Sequence, residues 1–341
     1  MRLGLVGYGT GGRHFHAPYI AAAKGIELVG VVARAPQTVA RVQEDMPGMP
    51  VYASLADLIK AGGIDAVTIT TPPQTRRELV LEAVAAGLHV VADKPFAPSA
   101  AVARELGEAA RRAGVVLAVY HNRRFDADVL TLKKVIDSGE LGKLWRVHSR
   151  MEFDDPATLE GGATGGLLRD LGSHLVDQML WLLGPIRSVA AYWDMVETSD
   201  GRTDAGFVLN LQHVSGVHSH LSASKLNRLT VREFRAYGEH GSYVSSGTDV
   251  QTQAIFAGIR PADDLQGWGY EKPDLWGTLR TRTRDERIPS EQGRYHSYYE
   301  SFLRAVNGQG PAPVTAEEAT ATLAVLDAAR ISAQEGQTVD V

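Results

Sequence analysis

The sequence predicts an α/β domain with a doubly wound parallel sheet over residues 1–121, followed by an α+β domain with a large, mostly antiparallel open sheet over residues 122–341. Two observations predict this division. Up to about residue 122, short apolar strands alternate with helices, which is typical of a parallel sheet with right-handed crossovers. Beyond that point, strands follow one another with short polar separators, which is typical of antiparallel pairing.

The first strand, residues 3–6, leads into a glycine-rich loop with the spacing G-x-G-x-x-G. A helix over 17–24 and a second strand over 26–33 complete a βαβ unit around it. In such a unit the first glycine permits a tight turn, the second lets the backbone approach a pyrophosphate, and the third allows close helix packing. The alternative is a plain tight turn. We therefore predict a dinucleotide-binding Rossmann domain whose loop contacts are Gly7, Gly9, Thr10, Gly11 and Gly12.

The end of the second strand, Ala33-Arg34-Ala35, bears on which dinucleotide is bound. An acidic residue there would accept hydrogen bonds from the adenosine ribose and repel a 2'-phosphate. Arg34 can instead pair with that phosphate. The sequence therefore favours NADP, with NAD possible; the alternative is that Arg34 is only a solvated loop residue.

The alternation continues with helices over 55–61, 76–86 and 101–113 and strands over 64–70, 89–92 and 115–120. Ligands of parallel sheets bind at the carboxyl ends of the strands. Candidate cofactor contacts there are Thr71, Pro72, Asp93, Lys94 and Asn122.

Lys94 can also stabilise negative charge that develops on a substrate oxygen. Its alternative role is an ion pair with Asp93 or a loop tether. His121 is a second candidate base, although a histidine that ends a strand is more often structural. Arg123 and Arg124 are interpreted first as packing and salt-bridge residues.

In the second half, helix 129–137 and strand 145–153 precede an amphipathic helix entered through Gly165 and Gly166. Asp170 and His174 lie four residues apart, so they share one face of that helix. An acid beside a histidine orients its ring and tunes its basicity, which suits a proton acceptor near neutral pH. The alternative is an ordinary surface ion pair.

The strands predicted next, over 188–193, 205–212, 217–222, 230–237 and 242–245, suggest an antiparallel meander that covers one helical layer. Residues 258–289 are predicted to form a long irregular excursion near the site or a partner. Helices are predicted over 295–306 and 316–333, with Thr315 as N-cap and Glu318 at capping-box distance.

Composition excludes several classes of protein. The chain is 44% hydrophobic and 22% charged, and its net charge of -5 gives no electrostatic reason to expect nucleic acid or an anionic membrane as partner. It has no cysteine, so disulfides and thiolate metal sites are excluded, and Asp170 with His174 lacks an evident third metal ligand. No signal-peptide pattern or apolar run of about 20 residues occurs, so we expect a cytoplasmic protein without a metal.

Taken together, these motifs resemble the glucose-fructose oxidoreductase / inositol dehydrogenase family essentially from end to end. The family's Glu-Lys-Pro motif is present as Asp93-Lys94-Pro95, and its Asp-x-x-x-His motif as Asp170 to His174. The segments Phe15-His16-Ala17-Pro18 and Tyr120-His121-Asn122-Arg123-Arg124-Phe125 are similar to the NADP-dependent scyllo-inositol dehydrogenase branch.

The resemblance implies that Lys94, Asp170 and His174 are the catalytic trio of an NAD(P)-dependent enzyme that oxidises CH–OH groups of a polyol or cyclic sugar. It also implies that the second domain's sheet forms a homodimer or homotetramer interface. Two positions depart from the family: Asp93 replaces glutamate, and Arg76 stands where histidine is frequent. One alternative is a reductase of another carbonyl, of the anhydro-sugar or dihydrodiol type. A more distant one is a catalytically silent nucleotide-sensing regulator.

Overall fold

The computed structural model describes residues 1–162 and 165–341, which fall into two compact units. Each unit is discontinuous in sequence. The first comprises Met1–Asn122, Gln251–Trp268 and Arg294–Thr320, and the second comprises Arg123–Val250, Gly269–Gly293 and Ala321–Val341. The division into domains 1–121 and 122–341 stays a prediction.

The first unit contains a six-stranded parallel sheet with the order β3-β2-β1-β4-β5-β6. Its strands are β1 (Arg2–Val6), β2 (Glu27–Val32), β3 (Val51–Tyr52), β4 (Ala66–Ile69), β5 (His89–Asp93) and β6 (Leu117–Tyr120). The strand order reverses at β1, which pairs with β2 on one side and β4 on the other. The predicted doubly wound sheet is confirmed, and ligands of such sheets bind where the order reverses.

Helices connect these strands. They are α1 (Ala17–Ala22), α2 (Pro36–Asp45), α3 (Leu55–Ala61), α4 (Pro73–Ala85) and α5 (Ala100–Ala113). A π-helical turn, Gly11–His16, precedes α1. The boundaries follow local signals: Pro73 takes the first position of α4, and Gly114 ends α5 in the left-handed conformation with a φ of 68°.

The second unit contains a nine-stranded sheet with the order β14-β13-β12-β11-β7-β10-β9-β8-β15. Its strands are β7 (Leu144–Asp154), β8 (Ile186–Thr198), β9 (Gly201–His213), β10 (His218–Ser224), β11 (Leu226–Gly238), β12 (Gly241–Ser245), β13 (Gly277–Thr281), β14 (Asp285–Ile288) and β15 (Val339–Asp340). The mostly antiparallel sheet is confirmed. A simple meander was the wrong expectation, because β7 lies between β10 and β11 and pairs in parallel with β10.

The predicted irregular excursion over 258–289 was also partly wrong, since β13 and β14 lie within it. These strands are short and carry many charged residues, so the alternation of apolar and polar side chains that marks a strand is hard to detect in the sequence. The first residue of β13 is Gly277. A Cβ there would lie 2.1 Å from the Tyr243 hydroxyl oxygen on β12. Only glycine permits that approach.

The remaining helices are α6 (Ala127–Asp137), α7 (Ser173–Leu183), α8 (Val250–Phe256), α9 (His296–Val306) and α10 (Ala316–Glu335). The predicted capping box of α10 is confirmed: the Glu318 N–H donates to Thr315 Oγ1 at 3.2 Å, and the Thr315 N–H donates to Glu318 Oε2 at 2.8 Å. Within the described residues, no helix combines the length and the apolar character needed to cross a lipid bilayer.

Candidate active site

The glycine loop follows β1 at the point where the strand order reverses. Gly7 has a φ of 101°, which favours glycine, and its N–H donates to the Val32 carbonyl at 3.0 Å. A Cβ on Gly12 would lie 2.3 Å from the Gly7 carbonyl oxygen, so the turn and β1 approach each other closely. Both positions thus meet the steric roles predicted for the first and third glycines.

Gly9, between them, has a different environment. A Cβ there would meet no heavy atom within 4 Å, and both Gly9 and Thr10 are exposed. Open backbone at the start of a helical turn is what a pyrophosphate needs, so these residues fit a dinucleotide. Arg34, the predicted partner of a 2'-phosphate, is exposed two residues beyond the end of β2.

A hydrogen-bond network at Asp45, the last residue of α2, holds the loop. Asp45 accepts from the Arg13 Nε at 2.6 Å and Nη2 at 2.8 Å, and from the Tyr8 hydroxyl at 2.9 Å. The bonds from Arg13 lower the pKa of Asp45 against the effect of burial. Burial and the bond to Asp45 raise the pKa of Tyr8, so the phenol stays protonated. Sequence reasoning missed this network because its members lie more than 30 residues apart.

Two segments distant in sequence also pack on this turn. Phe256 of α8 lies beside the rings of His14 and Phe15, with centroid distances of 5.1 and 6.2 Å. Behind the turn, the His16 Nδ1 lies 2.5 Å from the hydroxyl of Tyr299 on α9, and its ring stacks on Tyr120 with a centroid distance of 4.0 Å. His16 is fully buried, so this end of the turn is fixed in position.

Arg76 joins the ends of β4 and β5. It is 4% exposed and donates to three carbonyl oxygens, those of Thr71 at 2.8 Å, Asp93 at 2.9 Å and Pro95 at 2.6 Å. Thr71 and Pro72 follow β4, so this arginine sets the path of both predicted cofactor-binding segments. Arg76, which stands where the family often has histidine, therefore holds the backbone after β4 to the backbone at the end of β5.

Asp93, the last residue of β5, lies against the glycine loop. A Cβ on Gly11 would lie 3.2 Å from Asp93 Oδ2, and Asp93 Oδ1 accepts the Lys94 N–H at 2.8 Å. Burial favours the protonated acid, but the neighbouring His16, whose Nε2 lies 3.6 Å from Asp93 Oδ2, together with the positive charges of Arg76 and Lys94, outweighs it and lowers the pKa of Asp93 to about 2. Asp93 is therefore a permanent carboxylate, and the half-buried Lys94 follows it directly.

The segment after β6 anchors α7 within the second unit. Arg124 makes two bonds to Asp177 on α7, at 2.8 and 2.7 Å, and both side chains are buried. Arg123 pairs with Asp249 at 2.7 Å, which confirms that the two arginines are salt-bridge residues. Just before them, in the first unit, His121 and the predicted cofactor contact Asn122 are 3% and 6% exposed.

The predicted proton-transfer pair lies where a second π-helical turn, Leu168–Gly172, passes into α7. Asp204 on β9 fixes the start of that turn: its Oδ2 accepts the Leu168 N–H at 2.5 Å. A Cβ on Gly166 would lie 2.0 Å from Asp204 Oδ1, so glycine is required there. Asp170 lies within the turn with its side chain 35% exposed, and His174 is 5% exposed at the second position of α7.

Asp170 contacts a residue that sequence reasoning missed. Lys225 Nζ lies 3.3 Å from Asp170 Oδ2 and donates to the Thr158 carbonyl at 2.8 Å. Lys225 is 55 positions away in sequence, so no local pattern could reveal it. The predicted pairing of Asp170 with His174 stays a prediction, as do the joint action of this pair with Lys94 and the set of cofactor contacts. Among residues 1–162 and 165–341, no cluster of three or more acidic or histidine side chains is arranged to hold a metal ion.

Two family descriptions match the sequence. Residues 1–121 match the oxidoreductase family with an NAD-binding Rossmann fold, and residues 129–244 match the GFO/IDH/MocA C-terminal domain.

Curated relatives align along nearly the whole chain. The scyllo-inositol 2-dehydrogenase (NADP(+)) IolW of Bacillus subtilis is 31% identical over 99% of this chain and 95% of its own length. The uncharacterized oxidoreductase YdgJ of Escherichia coli is 33% identical over 99% of this chain and 98% of its own length. The 1,5-anhydro-D-fructose reductase of Ensifer adhaerens is 27% identical over 100% of this chain and 98% of its own length.

Solved structures agree with these alignments. The putative oxidoreductase yvaA of Bacillus subtilis has a TM-score of 0.91 at 31% identity and covers 100% of this chain and 98% of that one. A putative oxidoreductase from Klebsiella pneumoniae has a TM-score of 0.90 at 31% identity, and the match covers 100% of this chain and 95% of that one. Because the two family regions span most of the sequence and relatives align from end to end, the chain belongs to the GFO/IDH/MocA family of NAD(P)-dependent oxidoreductases.

Proposed function

We propose that this enzyme catalyses the reversible oxidation of a secondary alcohol on an inositol-like polyol or cyclic sugar, with NADP as its cofactor. The observation that carries the proposal is the position of Asp93, whose Oδ2 would lie 3.2 Å from a Cβ on Gly11 in the glycine loop and whose Oδ1 accepts the N–H of Lys94. A cation held beside a dinucleotide-binding loop suits the stabilisation of a developing alkoxide. The similarity to the NADP-dependent scyllo-inositol dehydrogenase supports both the substrate class and the cofactor.

The chain's own groups would hold the cofactor by its phosphates. The exposed amides around Gly9 and Thr10 suit the pyrophosphate, and the guanidinium of Arg34 suits a 2'-phosphate, which an acidic residue would repel. When bound, the nicotinamide supplies the hydride acceptor.

Three side chains would manage the proton and the charge of the reacting hydroxyl. His174 accepts the hydroxyl proton, Asp170 orients the imidazole and stabilises its charged form, and Lys94 stabilises the negative charge on oxygen. General base catalysis of this kind contributes about 10²- to 10⁴-fold in rate.

A substrate panel tests the proposal. The rate of NADPH formation and, separately, of NADH formation is followed with inositols, aldoses and linear polyols. We expect turnover with at least one cyclic polyol or sugar, and faster turnover with NADP than with NAD. Tight NADPH binding without turnover of any of these compounds would contradict the proposal.

A second candidate is the reduction of another sugar carbonyl with the same three side chains. The similarity along the whole chain to a 1,5-anhydro-D-fructose reductase favours it. NADPH consumption with anhydro-ketoses distinguishes the candidates: an enzyme that reduces these compounds and oxidises no inositol belongs to the second.

We also propose that the chain self-associates through the nine-stranded sheet. Tyr192 on β8 and Val208 on β9 are cross-strand partners, yet they are 64% and 42% exposed. Adjacent exposed apolar side chains on a sheet are typical of a protein interface.

A further inference from the structure

Lys225 is a buried lysine whose position is fixed on both its backbone and its side chain. It lies between β10 and β11 and is 8% exposed. Its N–H donates to the Ala205 carbonyl at 3.1 Å, and its own carbonyl accepts the Asp155 N–H at 3.0 Å. Its ammonium group donates to the Thr158 carbonyl and to Asp170 Oδ2. The charge is therefore held at one place beside the predicted proton-transfer pair.

A structural tie alone does not explain the charge at this position. Burying an ammonium group costs several kcal/mol, which an ion pair offsets only in part. A neutral donor has a smaller desolvation cost than an ammonium group. A lysine at this position places a positive charge 3.3 Å from Asp170 Oδ2.

Other charged groups surround the turn that carries Asp170. Arg169 adjoins Asp170 in the turn, and Asp155 and Glu160 are exposed in the preceding loop. On the neighbouring elements the charged side chains bind partners within the second unit: Asp204 accepts the Leu168 N–H, Asp177 pairs with Arg124, and Glu152 accepts from Ser222 and Asn227. Lys225 is a cation that the fold holds in direct contact with the Asp170 carboxylate, with Nζ 3.3 Å from Oδ2.

We propose that Lys225 is a positioning residue that acts on His174 through Asp170. Its ammonium group partly neutralises the negative charge of the Asp170 carboxylate, so the protonated form of His174 is stabilised less. The proposal rests on the roles given above to Asp170 and His174. A carboxylate already paired with an ammonium group offers less negative potential to a neighbouring imidazole, so the charged imidazole is less stabilised.

The effect matters because a general base must be neutral before it can accept a proton. An unscreened Asp170 would keep His174 protonated to higher pH and leave less of the active form near neutrality. In the direction of carbonyl reduction His174 must be protonated, so Lys225 would also affect the pH above which the rate of reduction falls.

The test is the pH dependence of kcat/KM for NADP-dependent oxidation in three variants. Lys225→Gln removes the charge but keeps a polar side chain at the position, and Lys225→Arg keeps the charge. We expect the acid limb of the profile to move to higher pH by about one unit in Lys225→Gln and to stay in place in Lys225→Arg. Lys143→Gln, which neutralises an exposed lysine, is the matched control and should leave the profile unchanged.

An acid limb that stays in place in Lys225→Gln while kcat falls at every pH would show that Lys225 is only a structural tie. A second variant tests the same coupling without altering Lys225. In Asp170→Asn the lysine charge is no longer balanced, so the acid limb should move to lower pH and the shift should shrink at high ionic strength. An unmoved limb in this variant would show that Asp170 does not act on the base, so the role given to Asp170 would fail together with the proposal that rests on it.

His174→Ala separates this proposal from the assignment on which it rests. If the acid limb persists in the residual activity of His174→Ala, His174 is not the base and the proposed function of the pair fails. If the limb disappears there but does not move in Lys225→Gln, only the role of Lys225 is rejected.

Discussion

Asp93 shows how a single residue can depend on distant neighbours for its charge. Burial alone would favour the protonated acid, yet the adjacent His16, Arg76 and Lys94 lower its pKa to about 2. A carboxylate is therefore present beside the glycine loop throughout the neutral range. Because the Lys94 N–H is bonded to that carboxylate, the backbone at Lys94 is fixed before any substrate arrives.

Replacing Arg76 should destabilise the fold. Arg76→Met leaves three carbonyl oxygens without their donor and removes a positive charge 3.7 Å from Asp93 Oδ2. We expect the free energy of unfolding to fall by about 3 kcal/mol, measured by urea denaturation. The control is Arg77→Met at the next position, which removes an exposed ion pair with Glu105. It should lower the free energy of unfolding much less. Equal effects of the two variants would contradict the role given to Arg76.

We propose that Arg34 determines whether NADP or NAD is bound. Arg34→Asp replaces a group that attracts a 2'-phosphate with one that repels it and can bind a ribose hydroxyl. We expect the ratio of kcat/KM for NADP to that for NAD to fall at least tenfold, because reversing one charge at a phosphate exceeds about 1.4 kcal/mol. Arg41→Asp, at an exposed position on α2, is the control. An unchanged ratio would remove Arg34 from cofactor selection.

Among the elements, the turn Leu168–Gly172 and α7 are held at two separate points. Asp204 binds the N–H of Leu168 at the beginning, and Arg124 binds Asp177 four residues into α7 counted from Ser173. Separating the buried ion pair of Arg124 and Asp177 would leave an uncompensated charge, and breaking the Asp204 contact would leave the Leu168 N–H without its acceptor, so both contacts resist movement of the segment. This segment carries Asp170 and His174, and its fixed backbone would hold them at a defined position for the proton transfer that we propose.

The sequence predicts the elements that carry local signals and misses those that depend on distant contacts. The glycine loop, the strands of the parallel sheet and the Thr315–Glu318 cap all follow from spacing over a few residues. The position of β7 between β10 and β11 does not, because pairing between remote strands leaves no local pattern. For the same reason the contacts of Lys225 with Asp170 and of His16 with Tyr299 become visible only in the folded chain.

Glu271, in the segment before β13, makes stability depend on pH. Burial, followed by the charge of Asp128, raises its pKa from 4.5 to about 7. Since the pKa is higher in the folded chain, the folded state is favoured below pH 4.5, and this contribution is lost as the pH rises through 7. The carboxylates of Glu271 and Asp128 lie close to each other, because an oxygen of each would lie 2.9 Å from a Cβ on Gly247.

Glu271→Gln should therefore stabilise the protein at pH 8 and have little effect at pH 4. The amide is neutral at both pH values and its oxygen can still accept the Thr248 N–H. We expect a gain of at most about 3 kcal/mol at pH 8, measured by urea denaturation at the two pH values. Glu286→Gln, at an exposed position on β14, should show no such difference. A loss of stability at pH 8 would contradict this account of Glu271.

For the whole molecule, the proposed self-association depends on the nine-stranded sheet. Tyr192→Lys places a charge in the exposed apolar pair that Tyr192 forms with Val208. We expect the variant to sediment as a smaller species than the wild-type protein at the same concentration, because burying an unpaired charge in an interface is costly. Trp145→Lys, at a 56% exposed position on β7, is the control. Identical sedimentation of Tyr192→Lys and the wild type would contradict an interface at this position.

The central claim is that Lys94 and His174 perform charge stabilisation and proton transfer for a nicotinamide-dependent oxidoreductase. The most direct measurement is the rate of NADPH formation from a cyclic polyol substrate in the wild type, Lys94→Met and His174→Ala, together with the Kd of NADPH for each. We predict that each variant loses about 10²- to 10⁴-fold in kcat, with His174→Ala keeping the wild-type Kd for NADPH. Near-normal turnover in either variant would contradict the claim.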